Sequence, residues 1–252
     1  EDAMSKKVKI NGVWPMFLPE SSADEWIGNM AHHHNSWEMP RLLRLEKEIK
    51  SYKDRRPVVM YIGAYKGDMA ALLSSWGADL IIMESTPAFW TLIKETWNLN
   101  PKLLKPVGFW SGLVSNISVW SGVIDDVSSW PERKAEYVEG HVGFTHLAES
   151  KNDIENFPQI TIDDFVALSG IVPDIITMDV EGSELEILKG SLTTIEKHKP
   201  SFMLSVHPEF MFHNHGTYER ELHDLLRDRK YDFEWLDYDH EHHWWYEFGG
   251  KK

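Results

Sequence analysis

The sequence predicts an α/β fold built on a doubly wound, mainly parallel sheet, and three stretches carry that expectation. Val58–Ile62 is a continuous apolar run of strand length that empties into the glycine turn Gly63-Ala64-Tyr65-Lys66-Gly67. Leu80–Met83 is a second such run, ending on Glu84. A third, Ile175–Met178, ends on Asp179, and a helix follows at once: Ser183 and Glu186 have the spacing of a capping box, and Gly190 is placed to stop it. Unbroken apolar runs mark strands buried on both faces, and strands alternating with helices close through crossovers of one hand. In such sheets ligands bind beyond the carboxyl ends of the strands, so Asp179 and Glu181 are expected on the floor of a site.

The remaining elements follow in chain order. Residues 1–4 read as an expression scar ahead of a native start at Met4 and are set aside. Residues 5–37, with two prolines and no clear period, read as an irregular arm folded over the domain. Within it, His32-His33-His34 reads as a polar loop, because three adjacent side chains converge poorly on one ion. From Pro40 to Tyr52, Leu42, Leu45 and Ile49 form one helical face, with Arg41, Arg44 and Lys47 among the residues covering the rest. We take 1–52 as arm plus helix and 53–252 as the main domain.

After the first strand, Asp68 is placed to cap the helix Met69–Trp76. Thr86 and Pro87 start the helix that runs through Trp97. Segments Pro106–Trp110 and Leu113–Trp120 alternate as strands, 121–158 is loop-rich and acidic, and Thr161 opens another helix. Ser201–His207 is a strand with Phe202, Leu204 and Val206 on one face, and Thr217 caps a helix. Tyr231–Phe248 reads as two strands. On the last, His240, His242, Trp244, Tyr246 and Phe248 share one side, opposite Glu241, His243 and Trp245. His240 and His242 read equally as ligands or as a solvated hairpin face.

Composition bounds the chemistry. At 252 residues the chain suits one α/β domain with an appendage. Cysteine is absent, which excludes disulfides, thiolate nucleophiles and Cys-based zinc sites. A net charge of −14 argues against nucleic-acid binding through clustered Lys and Arg. No apolar run spans a bilayer and no signal-like leader opens the chain, so a cytoplasmic protein without membrane contact is the expectation. The glycine turn matches neither a dinucleotide fingerprint nor a phosphate loop. It gains meaning from Glu84, an acid about 20 residues further on, the spacing of a ribose-diol partner, which implies a nucleoside-containing cofactor.

Four blocks, Tyr61-Ile62-Gly63-Ala64-Tyr65-Lys66-Gly67-Asp68, Met83-Glu84-Ser85-Thr86-Pro87, Ile160–Phe165 and above all Met178-Asp179-Val180-Glu181-Gly182-Ser183-Glu184-Leu185, resemble the ordered motifs of FkbM-like methyltransferases. The resemblance runs from about Val58 to Glu209. It implies a class I methyltransferase fold, a Rossmann-like seven-stranded mixed sheet with one antiparallel strand near the edge, binding S-adenosylmethionine. It implies further that Gly63, Ala64, Tyr65 and Gly67 line the methionine and ribose part, with Asp68 at the helix start, Glu84 and Ser85 at the ribose, and Asp179 beside methyl group and acceptor. It points to O-methylation of a hydroxyl on a sugar, glycoconjugate or natural product. Tyr61 departs from the pattern, standing where such proteins usually carry an acid.

Asp179 or His207 is the expected proton acceptor, with Glu181 beside them, and the negative charge would favour a cationic cofactor. Asp179, Glu181, His207 and Glu209 could also hold Mg²⁺ or Mn²⁺, but no spacing compels a metal and none is assigned. Two other readings stay open at this stage, a different nucleotide-cofactor enzyme and a non-catalytic binding module for a glycan or partner.

Overall fold

The computed structural model describes residues 5–119, 124–132 and 158–249. Residues 1–4, Trp120 and most of the acidic stretch 121–158 lie outside it. Among the described residues no helix is long and apolar enough to cross a membrane.

A seven-stranded sheet forms the centre. Its strands are β3 (Val58–Ile62), β4 (Asp79–Met83), β5 (Gly108–Trp110), β8 (Ile175–Asp179), β9 (Ser201–Val206), β10 (Tyr231–Tyr238) and β11 (His242–Phe248), in the order β10-β11-β9-β8-β3-β4-β5. Four neighbouring pairs run parallel, and β11 alone runs antiparallel to both β9 and β10. The chain winds outward from β3 to β5, then returns to β8 and winds the other way. The switch point therefore falls between β3 and β8, where open α/β sheets hold their ligands.

Two apolar layers cover the sheet. One face buries Met60, Ile62, Ile81 and Met178 under α5 (Ile162–Ser169), α6 (Glu184–Lys189), α7 (Leu192–His198) and α9 (Glu219–Arg227). The other buries Val59, Tyr61, Leu80 and Ile82 under α2 (Met39–Ser51), α3 (Asp68–Ser75) and α4 (Pro87–Leu99). Alternate residues of one strand feed opposite layers, as the two-residue period requires.

The expected arm has regular structure. β1 (Ser5–Ile10) and β2 (Trp14–Pro19) form a hairpin, and α1 (Glu20–His32) follows. The turn Asn11-Gly12, with φ +48° and +70°, closes the hairpin, and Ile10, Leu18 and Trp26 are fully buried in the second layer. The tight turn and an alternation that long-range burial makes legible explain why no period was apparent. His32 ends α1, and His33 and His34 lie in the turn after it.

Several local expectations are corrected. Thr161 does cap α5, its side chain accepting from the Asp164 amide. Ser183 does not cap α6: its φ and ψ of −94° and 9° lie outside the extended region of a working cap, and its hydroxyl faces His215. Glu186 instead takes Asn116 and Lys189. Gly67, at φ +82°, occupies the N-cap of α3, which puts Asp68 inside the first turn. Tyr218, not Thr217, precedes α9. The strand expected from Leu113 is short, β6 (Leu113–Val114) beside β7 (Gln159–Ile160); beyond it Ser118 accepts from the Thr161 amide and Val119 forms an isolated bridge to Gln159.

Candidate active site

The carboxyl ends of β3, β4 and β8 open into a cavity of about 430 Å³, within the usual range for small-ligand sites. Gly63, Ala64, Tyr65, Asp68, Glu84, Ser85, Asp179 and Glu181 all line it. Gly67 lies beneath the wall, its amide donating to Ala64 O. Gly63 is required by geometry: at φ +79° a Cβ would stand 2.0 Å from the Asp179 carbonyl oxygen. That close approach brings the β3 turn and the β8 tip together.

At one end stands Glu84. Its two carboxylate oxygens accept from the backbone amides of Tyr65 and Thr86, each at 2.7 Å. Burial pushes it up to about 7, against those same hydrogen bonds. Among the described residues no charged side chain takes part. Ser85 and Phe89 continue this wall. On the same cavity wall, toward Tyr61, Asp68 accepts from the Trp26 indole of α1, and burial raises it to about 6 against the Met69 amide and Trp26.

The other end is a network of charges. Arg41 of α2 is fully buried rather than on the solvent face; it donates to Glu38 at 2.6 Å, to the Tyr61 hydroxyl at 3.1 Å and to Asp179 at 3.4 Å. The Arg41–Tyr61 pair thus occupies the place of the missing strand-tip acid, and Glu38 brings a carboxylate to the cavity from the chain ahead of α2. Burial and then the Glu241 charge push Asp179 up to about 7, against Arg41 and His207.

His207 sits behind Asp179, nearly fully buried and not on the cavity wall. Its Nδ1 is 2.8 Å from Glu184, and its Nε2 is 2.5 Å from Glu241, 3.6 Å from Glu181 and 3.7 Å from Asp179. Burial alone would lower His207, but Glu184 and Glu241 outweigh it and carry the imidazole to about 11. Glu241 is shared with His243, which Asp237 holds from the far side. Burial works against ionisation of Glu241 too, yet the two histidines hold it well below the usual carboxylate range.

Glu209 does not join this cluster. It is exposed on the first turn of α8 (Pro208–His215), beside His213. His240 lines the cavity and stacks on Trp37, whereas His242 turns to Glu219 on the opposite side of β11. Neither face of β11 is a solvated hairpin face.

Sequence reading missed Arg41, Glu38, Glu184, Glu241 and His243. Arg41 had a signal: it lies one turn before Leu45 and two before Ile49, on the apolar stripe. Glu241 and His243 alternate with the buried Trp245, which marks their face as the inner one.

The sheet order with its single antiparallel strand, and a ligand-sized cavity over the switch point, define the Rossmann-like fold of class I methyltransferases. The family model for the methyltransferase FkbM domain matches residues 62–233, and the chain belongs to that family. No curated protein matches the chain.

Among solved structures, the FkbM methyltransferase of Methylobacillus flagellatus KT shares 12% identity, with 86% of this chain and 60% of that one covered and a TM-score of 0.46. A TehB-like methyltransferase of Corynebacterium glutamicum shares 12%, covering 90% and 95%, at a TM-score of 0.42. The precorrin-6y C5,15-methyltransferase of Geobacter metallireducens GS-15 also shares 12%, covering 84% and 88%, at 0.43.

Proposed function

We propose that this protein transfers a methyl group from S-adenosylmethionine to a hydroxyl oxygen of a sugar, glycoconjugate or other small polyol-like molecule that enters beside Asp179. The observation that carries this reading is the single cavity with Glu84 at one end, Asp179 at the other and the Gly63 backbone between them.

The residues fit the cofactor. Glu84 presents its carboxylate on the cavity wall, where a ribose diol can donate to it, and the Gly63 backbone lies on the same wall between it and Asp179. Glu38 and Asp68, both on the wall near Tyr61, supply negative charge for an ammonium group. When bound, the cofactor supplies an electrophilic methyl on a sulfonium, and the protein's share is alignment, worth roughly 7–11 kcal/mol in well-oriented reactions.

Asp179 acts as proton acceptor in this reading. It lines the cavity, and a value near 7 balances availability of the base against its strength. His207 supports it from behind as a positioning residue, because its Nε2 meets carboxylates rather than the cavity. Glu181 narrows the acceptor side.

Titration with S-adenosylhomocysteine, followed by a mass-shift screen of hydroxylated acceptors, tests the proposal. The expected result is saturable binding, gain of one methyl on oxygen, and loss of transfer but retention of cofactor binding in Asp179→Asn. Full transfer by that variant, or methylation confined to nitrogen or carbon, would overturn it.

A further inference from the structure

We propose that His207, Asp179, Glu181 and Glu241 form a divalent-cation site at the acceptor end of the cavity, of the Mn²⁺ or Mg²⁺ class. Two triads of potential ligands overlap there: Asp179, Glu181 and His207, and His207, His240 and Glu241, with the ligand atoms of each within 4.8 Å of one another. His207 is common to both.

The separations from His207 Nε2 suit one shared ion. Atoms that each stand about 2.0–2.2 Å from a metal lie up to about 4.3 Å from one another. From His207 Nε2 the distances to Glu241, Glu181 and Asp179 are 2.5, 3.6 and 3.7 Å. At the shortest, Nε2 and Glu241 Oε2 are buried and meet as an ion pair, with neither atom in hydrogen-bond geometry to any partner. Two side chains about 97% and 99% buried that meet without hydrogen-bond geometry, with Asp179 and Glu181 facing the same nitrogen, indicate a cation beside them.

The surroundings orient the imidazole for this role. Glu184, fully buried, holds Nδ1 at 2.8 Å, the carboxylate–histidine arrangement that fixes the tautomer and directs Nε2 at a metal. Three oxygen donors and one imidazole favour Mn²⁺ or Mg²⁺ over a thiolate-seeking metal.

Asp179 and Glu181 also line the cavity, which would let an acceptor oxygen complete the coordination. That use of the ion rests on the methyl-transfer reading, whereas metal binding does not, and the test reads binding alone.

Purified protein stripped with chelator is titrated with MnCl₂, without cofactor or acceptor, and followed by calorimetry and by the electron paramagnetic resonance of free Mn²⁺. One equivalent should bind, and Glu241→Gln and Glu181→Gln should each weaken it at least tenfold. Glu209→Gln, an exposed acid on the same edge, should leave it unchanged. Circular dichroism checks the variants, and the half-exposed Glu181→Gln alone decides the matter where Glu241→Gln fails to fold. Absence of binding at millimolar metal, or equal affinity in Glu181→Gln and the parent, would overturn the proposal.

Discussion

The two ends of the cavity handle buried negative charge in opposite ways. Glu84 stands without a charged partner, at the tip of a strand, and two backbone amides from the adjoining turns satisfy it. Asp179 belongs to a cluster in which Glu38, Glu181, Glu184 and Glu241 meet Arg41 and His207, drawn from α2 and the turn before it, the β8–α6 connection, the tip of β9 and the β10–β11 turn. An acid satisfied by its own turn costs the rest of the fold little. A cluster of acids is stable only if distant segments deliver the cations, so its stability is that of the whole assembly.

The largest effect that separates the ends is expected from Arg41→Met. It keeps much of the side-chain volume but leaves Glu38 and Asp179 facing each other in a buried site. Removing one partner of a buried ion pair costs about 3–5 kcal/mol, and urea denaturation should show a loss of that size. Lys50→Met, on the exposed side of the same helix, should stay within about 0.5 kcal/mol. Equal losses in the two variants would mean that Arg41 does not organise the acids.

Glu84→Gln should act mainly on the cofactor, with a stability loss of about 1–3 kcal/mol because its side-chain NH2 meets one of the two backbone amides. A hydrogen bond to a charged group is worth about 1.5–3 kcal/mol, so calorimetry with S-adenosylhomocysteine should show a loss of roughly 10- to 100-fold. Unchanged affinity would remove Glu84 from the ribose and with it the assignment of this end.

The same contrast decides what was legible in the chain. Strand, glycine turn, strand-tip acid and helix occur within a few residues of one another around Gly63, Glu84 and Asp179, and each leaves a local pattern: an apolar run, a residue that tolerates positive φ, a carboxylate at a fixed distance. The structure brings those three residues into one hollow, and the doubly wound sheet follows from the same runs. Arg41 was placed with the solvent-facing charges because helical polarity is ordinarily a solvent signal, and only the position of Leu45 and Ile49 argues otherwise. Glu241 and Glu38 reach the site from 62 residues after Asp179 and from the arm, and no spacing within one element reports such a meeting. The β1–β2 hairpin escapes a local reading for a related reason: which of its faces is the inner one is decided only by the helices α1 and α4 that cover it.

A smaller effect follows from the pH response of Glu84. Its folded value of about 7 lies above the ordinary 4.5. Between those values the native protein holds a proton that the unfolded chain has released, so stability falls as pH rises from about 4.5 to about 7 and is level beyond. Cofactor binding runs the other way, since ribose hydroxyls donate to the ionised form. Affinity should rise by up to tenfold per pH unit below about 7 and then flatten. Asp179 titrates in the same range, so the component that disappears in Glu84→Gln is the part that belongs to Glu84. A parent and variant with superimposable pH profiles would place the titration at the other end.

The smallest effect compares two hydroxyls with the same sequence signature. Thr161 and Ser183 each precede a helix, with an acid in its first turn. Only Thr161 has the extended backbone, φ −83° and ψ 155°, that aims its oxygen at the Asp164 amide. Thr161→Ala should therefore cost about 1 kcal/mol. Ser183→Ala should stay within about 0.5 kcal/mol, because no helix amide loses a partner. The strand-tip turn at Asp179 explains the difference: Glu181 at φ +53° and Gly182 at φ +100° bend the chain so that Glu184, not Ser183, reaches back to the Gly182 amide. The residue that would cap α6 has been displaced by the one that holds His207. A loss in Ser183→Ala as large as that in Thr161→Ala would show that the bend is not present in solution, and that Glu184 is free to leave the imidazole.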